Sequence, residues 1–326
     1  MRMRISGTGS ALPKRTVDNG KMTEWVDTSD EWIRERTGIR ERRISTGETV
    51  VSLGAEACLK ALEQAGRSAQ EVDMILLATC SPEYLLPCCA CQVQEAIGAV
   101  NAVAYDINAA CSGFLFGLTT ANAYIQSGMY QKILVVGSEV LSKLVDWEDR
   151  SSCILFGDGA GAVLAEAVQD DGAGMLSSVQ GSDGSRGMAL KCRERWIVNP
   201  LFREPDEETG ERMIRMDGQA VYRFAVSQVP SCISAALKKA ELSVQDIDLF
   251  ILHQANVRII EAVAKRLHAD MGKFPMNLDR VGNMSSATIP VLLDELNRKS
   301  SLHRGDKLIL SGFGAGFTYG TCVLVW

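Results

Sequence analysis

The sequence has little of what marks several large protein classes. Only three of its 326 residues are histidine, so any chemistry that needs an imidazole has few candidates. No apolar run approaches the ~20 residues that cross a bilayer, and no helical membrane span is expected. Charge of one sign is also scarce: 34 Lys and Arg face 40 Asp and Glu, a net −6. That balance argues against a general nucleic-acid binder and leaves room for a local basic patch. The chain start, Met1 to Ile5, is basic but leads into strand and turn instead of an apolar signal core. The ten cysteines show no framework spacing and several lie in apolar runs, as expected of reduced thiols in a cytoplasm. Cys88, Cys89 and Cys91 are crowded. No C-x-x-C pair or nearby histidine accompanies them, and helical spacing would splay them, so no metal is expected there.

What is present is an ordinary globular composition, 46% hydrophobic and 23% charged. The length suits one large or two mid-sized domains. The chain is organised around Asp106-Ile107-Asn108-Ala109-Ala110-Cys111-Ser112-Gly113-Phe114. A β-type run, Asn101 to Ile107, delivers the chain to Cys111, and a small-residue helix, roughly Ser112 to Ser127, starts at once. A cysteine at the positive end of a helix dipole is expected to favour the thiolate, its nucleophilic form. The ordinary alternative is a buried thiol acting as a small hydrophobe. Partners downstream decide between them.

Taken in order, Arg4 to Gly9 reads as a strand. A helix capped by Ser29 or Asp30 carries Trp32, Arg34 and Arg36 and stops at Gly38. Helices are expected at Val50 to Gln64, Cys91 to Ile97, Tyr222 to Ala240, Asn256 to Leu267 and Pro290 to Asn297. The apolar runs Val72 to Ala78, Lys132 to Gly137 and Ile247 to Leu252 read as strands buried on both faces. Phe156-Gly157-Asp158-Gly159-Ala160-Gly161 reads as a turn feeding the strand Ala162 to Ala165. Its spacing is wrong for a dinucleotide fingerprint. Residues 181 to 215 read as an exposed excursion, with Glu204 to Glu211 acidic and turn-rich. Lys307 to Ser311 and Thr321 to Val325 read as closing strands joined across Gly312 to Gly316.

An internal repeat is visible. Ala61 through Ser68, Gln70 and Asp73 to Leu77 lines up without a gap on Ala236 through Ser243, Gln245 and Asp248 to Leu252. Each copy is helix, turn, buried strand. Two related α/β halves place a site where strand ends and helix starts of both halves meet. His253 ends a buried strand just before a helix, the same kind of place as Cys111 in the other half. His268 and His303 lie on polar stretches. Asn283 lies on a Gly-containing turn before another helix, where a helix cap is the simpler reading.

At this point the chain resembles the β-ketoacyl-acyl-carrier-protein synthase III family, the initiating condensing enzymes of bacterial fatty-acid synthesis. The residues that carry the resemblance are Asp27 to Ile33, Arg36 to Arg40, Ala109 to Phe114, His253-Gln254-Ala255-Asn256, Gly282-Asn283 and Gly312-Phe313-Gly314. The resemblance implies an α/β thiolase-like fold of two duplicated halves, residues 1–170 and 171–326, in five layers (α-β-α-β-α), as a homodimer. It makes Cys111 the acyl carrier, with the N–H groups of Cys111 and Ala315 for the oxyanion; Ala315 stands where many relatives carry Gly. It makes His253 and Asn283 the donors to the malonyl thioester oxygen. It assigns coenzyme A to Thr28, Trp32, Arg36, Arg150, Gly218 and Asn256. It assigns the acidic carrier protein to Gln254, Ala255, Asn256, Val257 and Arg258, with Lys265 and Arg266 beyond. Leu86, contributed across the dimer where some relatives have Phe, and Phe313 would shape the acyl pocket.

The activity so implied is condensation of an acyl-CoA primer, acetyl-CoA first, with malonyl-carrier protein, giving 3-oxoacyl-carrier protein, CoA and carbon dioxide. Coenzyme A is then a substrate, and no cofactor, metal, nucleic acid or membrane partner is expected. A same-fold alternative is a condensing or acyl-transferring enzyme of secondary metabolism. A non-catalytic acyl-binding subunit is the alternative of another class, and the retained Cys111 argues against it.

Overall fold

The computed structural model describes residues 1–169, 172–193 and 213–326; the acidic segment Glu204 to Glu211 lies outside them. The strands are β1 Arg2–Ala11, β2 Thr16–Asp18, β3 Glu41–Arg43, β4 Met74–Ala78, β5 Val103–Ile107, β6 Lys132–Val140, β7 Asp158–Val168, β8 Gly174–Ser182, β9 Leu190–Lys191, β10 Arg215–Met216, β11 Leu249–Leu252, β12 Lys307–Gly314 and β13 Thr318–Val325. The helices are α1 Asn19–Met22, α2 Asp30–Thr37, α3 Val50–Ala65, α4 Cys89–Ile97, α5 Gly113–Ser127, α6 Arg150–Cys153, α7 Gly218–Lys239, α8 Val257–Leu267, α9 Leu278–Val281 and α10 Thr288–Arg298.

Two mixed sheets form the frame, one in the order β1-β7-β6-β4-β5 and one in the order β11-β12-β13-β8. Strand alternation sorts the apolar residues into layers. In β4, Ile75 and Leu77 pack outward with Leu53 and Val93 of α3 and α4. Met74 and Leu76 face the other way, onto Phe114 and Leu118 of α5 and Leu292 of α10. In β11, Ile251 joins that same middle layer, while Phe250 and Leu252 face Phe224 and Ile260 of α7 and α8. The sequence α-β-α-β-α of layers therefore follows from strands that are apolar on both faces.

The repeat runs further than the helix-turn-strand copies. Asp73 accepts from the Lys132 amide and Asp248 from the Lys307 amide, at 2.9 and 2.8 Å. The offset that carries Ala61 onto Ala236 also carries β4–β6 pairing onto β11–β12 pairing, both parallel. It carries Asn108 onto Asn283 and Ala110 onto Ser285, two residues with left-handed φ of 45° and 47°. Each asparagine accepts through Oδ1 from that residue's amide, at 3.4 and 2.9 Å. The turn that presents Cys111 and the turn that presents Asn283 are thus two copies of one structure.

Some expectations needed correction. Asp158 to Gly161 is not a turn but the start of β7. Its glycines serve close approach: a Cβ on Gly161 would lie 2.6 Å from the Val291 nitrogen. Gly312 to Gly314 likewise belongs to β12, and the link to β13 is only Ala315 to Phe317. Gly181 and Ser182 end β8, so the expected excursion loses its first two residues to a strand. In each case a glycine that suggests chain reversal serves close packing instead.

Gly137 of β6 faces the Ser286 carbonyl with no room for a Cβ. Gly137→Ala should therefore force the two halves apart locally and cost about 1–3 kcal/mol of stability. A denaturant midpoint unchanged from the parent protein would show that the Ser286 turn yields freely.

Candidate active site

Cys111 sits on a 3-10 turn, Ala110–Ser112, between β5 and α5. The Ser112 and Thr318 hydroxyls meet at 2.6 Å, and they lie 2.9 and 3.0 Å from the Ala109 carbonyl. This knot ties the nucleophile turn to the β12–β13 connection. Gly314 presses on it from β12: a Cβ there would stand 2.6 Å from the Cys111 nitrogen. Two residues earlier on the same strand face, a Cβ on Gly312 would stand 3.0 Å from the His253 Cβ. Positions i and i+2 of a strand are roughly 7 Å apart. The two bare positions of β12 therefore seat Cys111 and His253 side by side.

His253 follows β11, is buried, and donates its backbone N–H to Ser311 at 2.8 Å. Its ring meets Phe313 edge-on, centroids 5.6 Å apart. Nδ1 lies 2.7 Å from the Thr288 hydroxyl, which itself donates to the Ser285 carbonyl at 3.0 Å. Asn283 follows Gly282, whose φ of 70° no larger residue takes readily. Its Oδ1 accepts from the Ser285 amide at 2.9 Å, so the Nδ2 donors lie on the other side of the side-chain amide.

The electrostatics correct one expectation. Burial pushes the Cys111 thiol up to about 12, against a lowering by the Ser285 hydroxyl, and Glu139 adds to the rise. The helix dipole does not make a resting thiolate here. Its effect, typically 0.3–1 kcal/mol, is small beside desolvation worth up to 3–5 pKa units. Burial likewise lowers His253 to about 3, so its ring is neutral. Glu139 is buried below Cys80 and Ser286. It accepts from the Ser81 hydroxyl and the Cys80 amide at 2.6 and 3.1 Å, with no cation among those contacts. Burial raises it too.

Among the described residues, no backbone carbonyl outside the regular elements accepts from the Cys111 or Ala315 amide. Ala315 is not among the residues of positive φ, so its backbone accommodates a side chain.

A second cluster opens at α2. The Arg36 and Arg150 guanidiniums both lie against the Trp32 ring, 4.7 and 4.8 Å from its centroid. Arg150 donates to the Asp27 carbonyl at 2.9 Å, and the neighbouring Thr28 hydroxyl is buried without a partner. Asn256 caps α8 and donates to the Arg36 carbonyl at 2.9 Å; Arg258 donates to the Glu35 carbonyl at 3.2 Å. Gly218 opens α7 just after β10, which neighbours α6.

Arg258, Lys265 and Arg266 are exposed on α8, Arg258 and Lys265 about 10 Å apart along its axis. Ala255 and Val257 are half-buried. Gln254 is different. It is fully buried, donating to the Leu252 carbonyl at 2.7 Å and accepting from Asn277 at 3.3 Å. A side chain spent on backbone inside the core cannot meet a carrier protein. Phe313 is buried beside His253, and Leu86 is 85% exposed.

The sequence reading missed Thr288 and Glu139, since neither stands in a pattern that marks it. It also denied a spacing that is present: Cys88 and Cys91 are themselves C-x-x-C, at the N-cap and third residue of α4. Among the described residues, no three His, Cys, Asp or Glu gather as metal ligands.

Two family models match the chain, described as 3-oxoacyl-[acyl-carrier-protein] synthase III over residues 105–184 and its C-terminal part over residues 237–326. A β-ketoacyl-[acyl-carrier-protein] synthase III of Clostridium acetobutylicum is 47% identical over 99% of this chain and 98% of its own length. One from Synechococcus sp. WH7803 is 48% identical over 99% and 95%. The crystal structure of 3-oxoacyl-[acyl-carrier-protein] synthase III from Aquifex aeolicus superposes with a TM-score of 0.92 at 39% identity, covering 99% of this chain and 100% of that one. A priming β-ketosynthase of the R1128 polyketide pathway superposes at 0.91 with 34% identity, covering 99% and 96%. Whole-length identity and a shared thiolase-like fold lead to one conclusion: the chain belongs to the β-ketoacyl-acyl-carrier-protein synthase III family, acyltransferases that initiate fatty-acid synthesis by decarboxylative condensation.

Proposed function

We propose that the primer is acetyl-CoA and that Cys111, His253 and Asn283 carry the reaction. The observation that supports this most is the meeting of the two duplicated turns, which sets a thiol, a neutral imidazole and a free amide donor at one junction. The Cys111 sulfur attacks the acyl-CoA carbonyl, and the Cys111 and Ala315 amides hold the oxyanion. CoA leaves with a proton. In the second half-reaction the malonyl carboxylate departs as carbon dioxide. The enolate oxygen then rests on His253 Nε2–H and Asn283 Nδ2–H, and its carbon attacks the acyl-Cys carbonyl. Cys111 leaves as thiolate and is reprotonated from solvent.

The orphaned Thr28 hydroxyl and the Arg36–Trp32–Arg150 stack suit a nucleotide with phosphates, with Gly218 and Asn256 on the same approach. Arg258, Lys265 and Arg266, beside Ala255, Asn256 and Val257, suit an acidic carrier protein. A homodimer fits the free edge of β5, where Val103 is 47% exposed, and the protruding Leu85 and Leu86. There Leu86 reaches the partner's acyl pocket, toward Phe313. The halves are taken as 1–170 and 171–326, each holding one sheet.

Incubation with acetyl-CoA alone should place acetyl on the peptide carrying Cys111, as read by mass spectrometry. Acetyl on another cysteine instead would sink the assignment. Alkylation of the free protein should keep rising with pH past the ordinary thiol value of about 8.5, because the thiol is pushed up to about 12; a plateau near 8.5 would contradict it.

His253→Ala and Asn283→Ala should each slow malonyl decarboxylation by roughly 3–4 kcal/mol of barrier, with Cys111 acylation surviving in part. Undiminished decarboxylation in both variants would refute the donor pair.

Arg258→Glu should raise KM for malonyl-carrier protein while leaving acylation by free acyl-CoA nearly intact, and added salt should narrow the difference from the parent. Equal loss in both half-reactions would assign Arg258 to the fold.

A further inference from the structure

The Thr288 hydroxyl has one proton and two neighbours that want it. Nδ1 of His253 stands at 2.7 Å and the Ser285 carbonyl at 3.0 Å. When Nδ1 carries a proton, it donates to Thr288 and Thr288 donates to Ser285, so both bonds are made. When Nδ1 is bare, Thr288 must turn its proton to the ring and give up Ser285, whose carbonyl keeps only the Thr288 backbone N–H. The Nδ1–H tautomer is therefore favoured by one neutral hydrogen bond, roughly two- to tenfold in population. Thr288 and His253 are both buried, so water does not make up the difference. Among the described residues the ring's hydrogen-bond partner is a hydroxyl and not a carboxylate, so the ring is oriented without being charged.

We propose that Thr288 is a positioning residue that holds His253 with Nε2 bare, ready to take the Cys111 proton in the first half-reaction. This rests on the assignment of His253 given above. The resting Cys111 is a thiol seated beside His253 across Gly312 and Gly314. Because burial disfavours both a thiolate and an imidazolium here, the S–H proton passes to Nε2 only as the sulfur bonds to the acyl carbon. The sulfur electron pair forms the bond to the acyl carbon, the bond from that carbon to the CoA sulfur breaks, and the CoA sulfur takes the proton back from Nε2. Throughout this transfer Nδ1–H keeps its bond to Thr288. For the second half-reaction the Thr288 hydroxyl turns to Nδ1, which lets Nε2 carry the proton offered to the enolate oxygen. A hydroxyl serves both states because it can donate or accept.

With only three histidines, the ring can be read directly. His268 and His303 are exposed, and His268→Gln with His303→Gln leaves His253 as the single imidazole for 15N labelling. The spectrum should show Nδ1 protonated and Nε2 bare. Thr288→Val should shift the ratio toward Nε2–H by roughly two- to tenfold and slow Cys111 acetylation by a similar factor. Malonyl decarboxylation should change by less than that. Thr288→Ser should restore both the spectrum and the acetylation rate. A protonated Nε2 in the wild-type protein overturns the proposal, and this reading does not depend on the valine variant folding. So does equal slowing of both half-reactions in Thr288→Val, the mark of a merely structural residue. Failure of the wild-type protein to form acetyl-Cys111 would instead remove the functional reading, and it is told apart by mass before any variant is made.

Discussion

Backbone lies directly against backbone where the two halves meet, and the site depends on that contact. Gly137 admits the Ser286 carbonyl, Gly161 admits Pro290 and Val291, and Gly314 admits the Cys111 amide. A side chain at any of these would hold the sheets and the central helices apart. Close approach removes water from the junction, and removal of water then governs the chemistry of every group there.

Desolvation presses on these groups in one direction, toward their uncharged forms. Cys111 stays a thiol and His253 a neutral ring, and Glu139 is raised by the same burial. Charge then develops only during reaction, on oxygens met by amides and side-chain donors already in place. Such donors need no rearrangement when charge appears, which is where fixed dipoles are worth most. The contrast with α2 is physical. There the cations stay at the surface, stacked on Trp32, and suit phosphates that arrive already charged.

Much of this was legible in the chain. Strands apolar on both faces announce a sheet covered twice, and β4, β6 and β11 are such strands. The repeat announced two halves, and the strand-end positions of Cys111 and His253 announced where they would meet. What stayed hidden depends on contacts between residues far apart in sequence. The glycines of β7 and β12 look like turn residues because sequence records only the missing side chain, not the neighbour that fills its place. Gln254 looked like part of a docking motif because its inward direction is set by Asn277. The charge state of Cys111 depends on how much water its surroundings exclude, which no local pattern encodes.

The duplicated turns have a consequence for how the chain can change. The offset that maps Asn108 onto Asn283 maps Cys111 onto Ser286 and Ala78 onto His253. The Ser286 hydroxyl lies 2.9 Å from the Ala78 carbonyl and 3.0 Å from Glu139, an inert image of the reacting pair. Two positions built alike have diverged into a worker and a brace. Such a molecule holds a spare copy of its own nucleophile turn, already shaped and already buried, and what keeps that copy silent is a handful of side chains rather than a different fold.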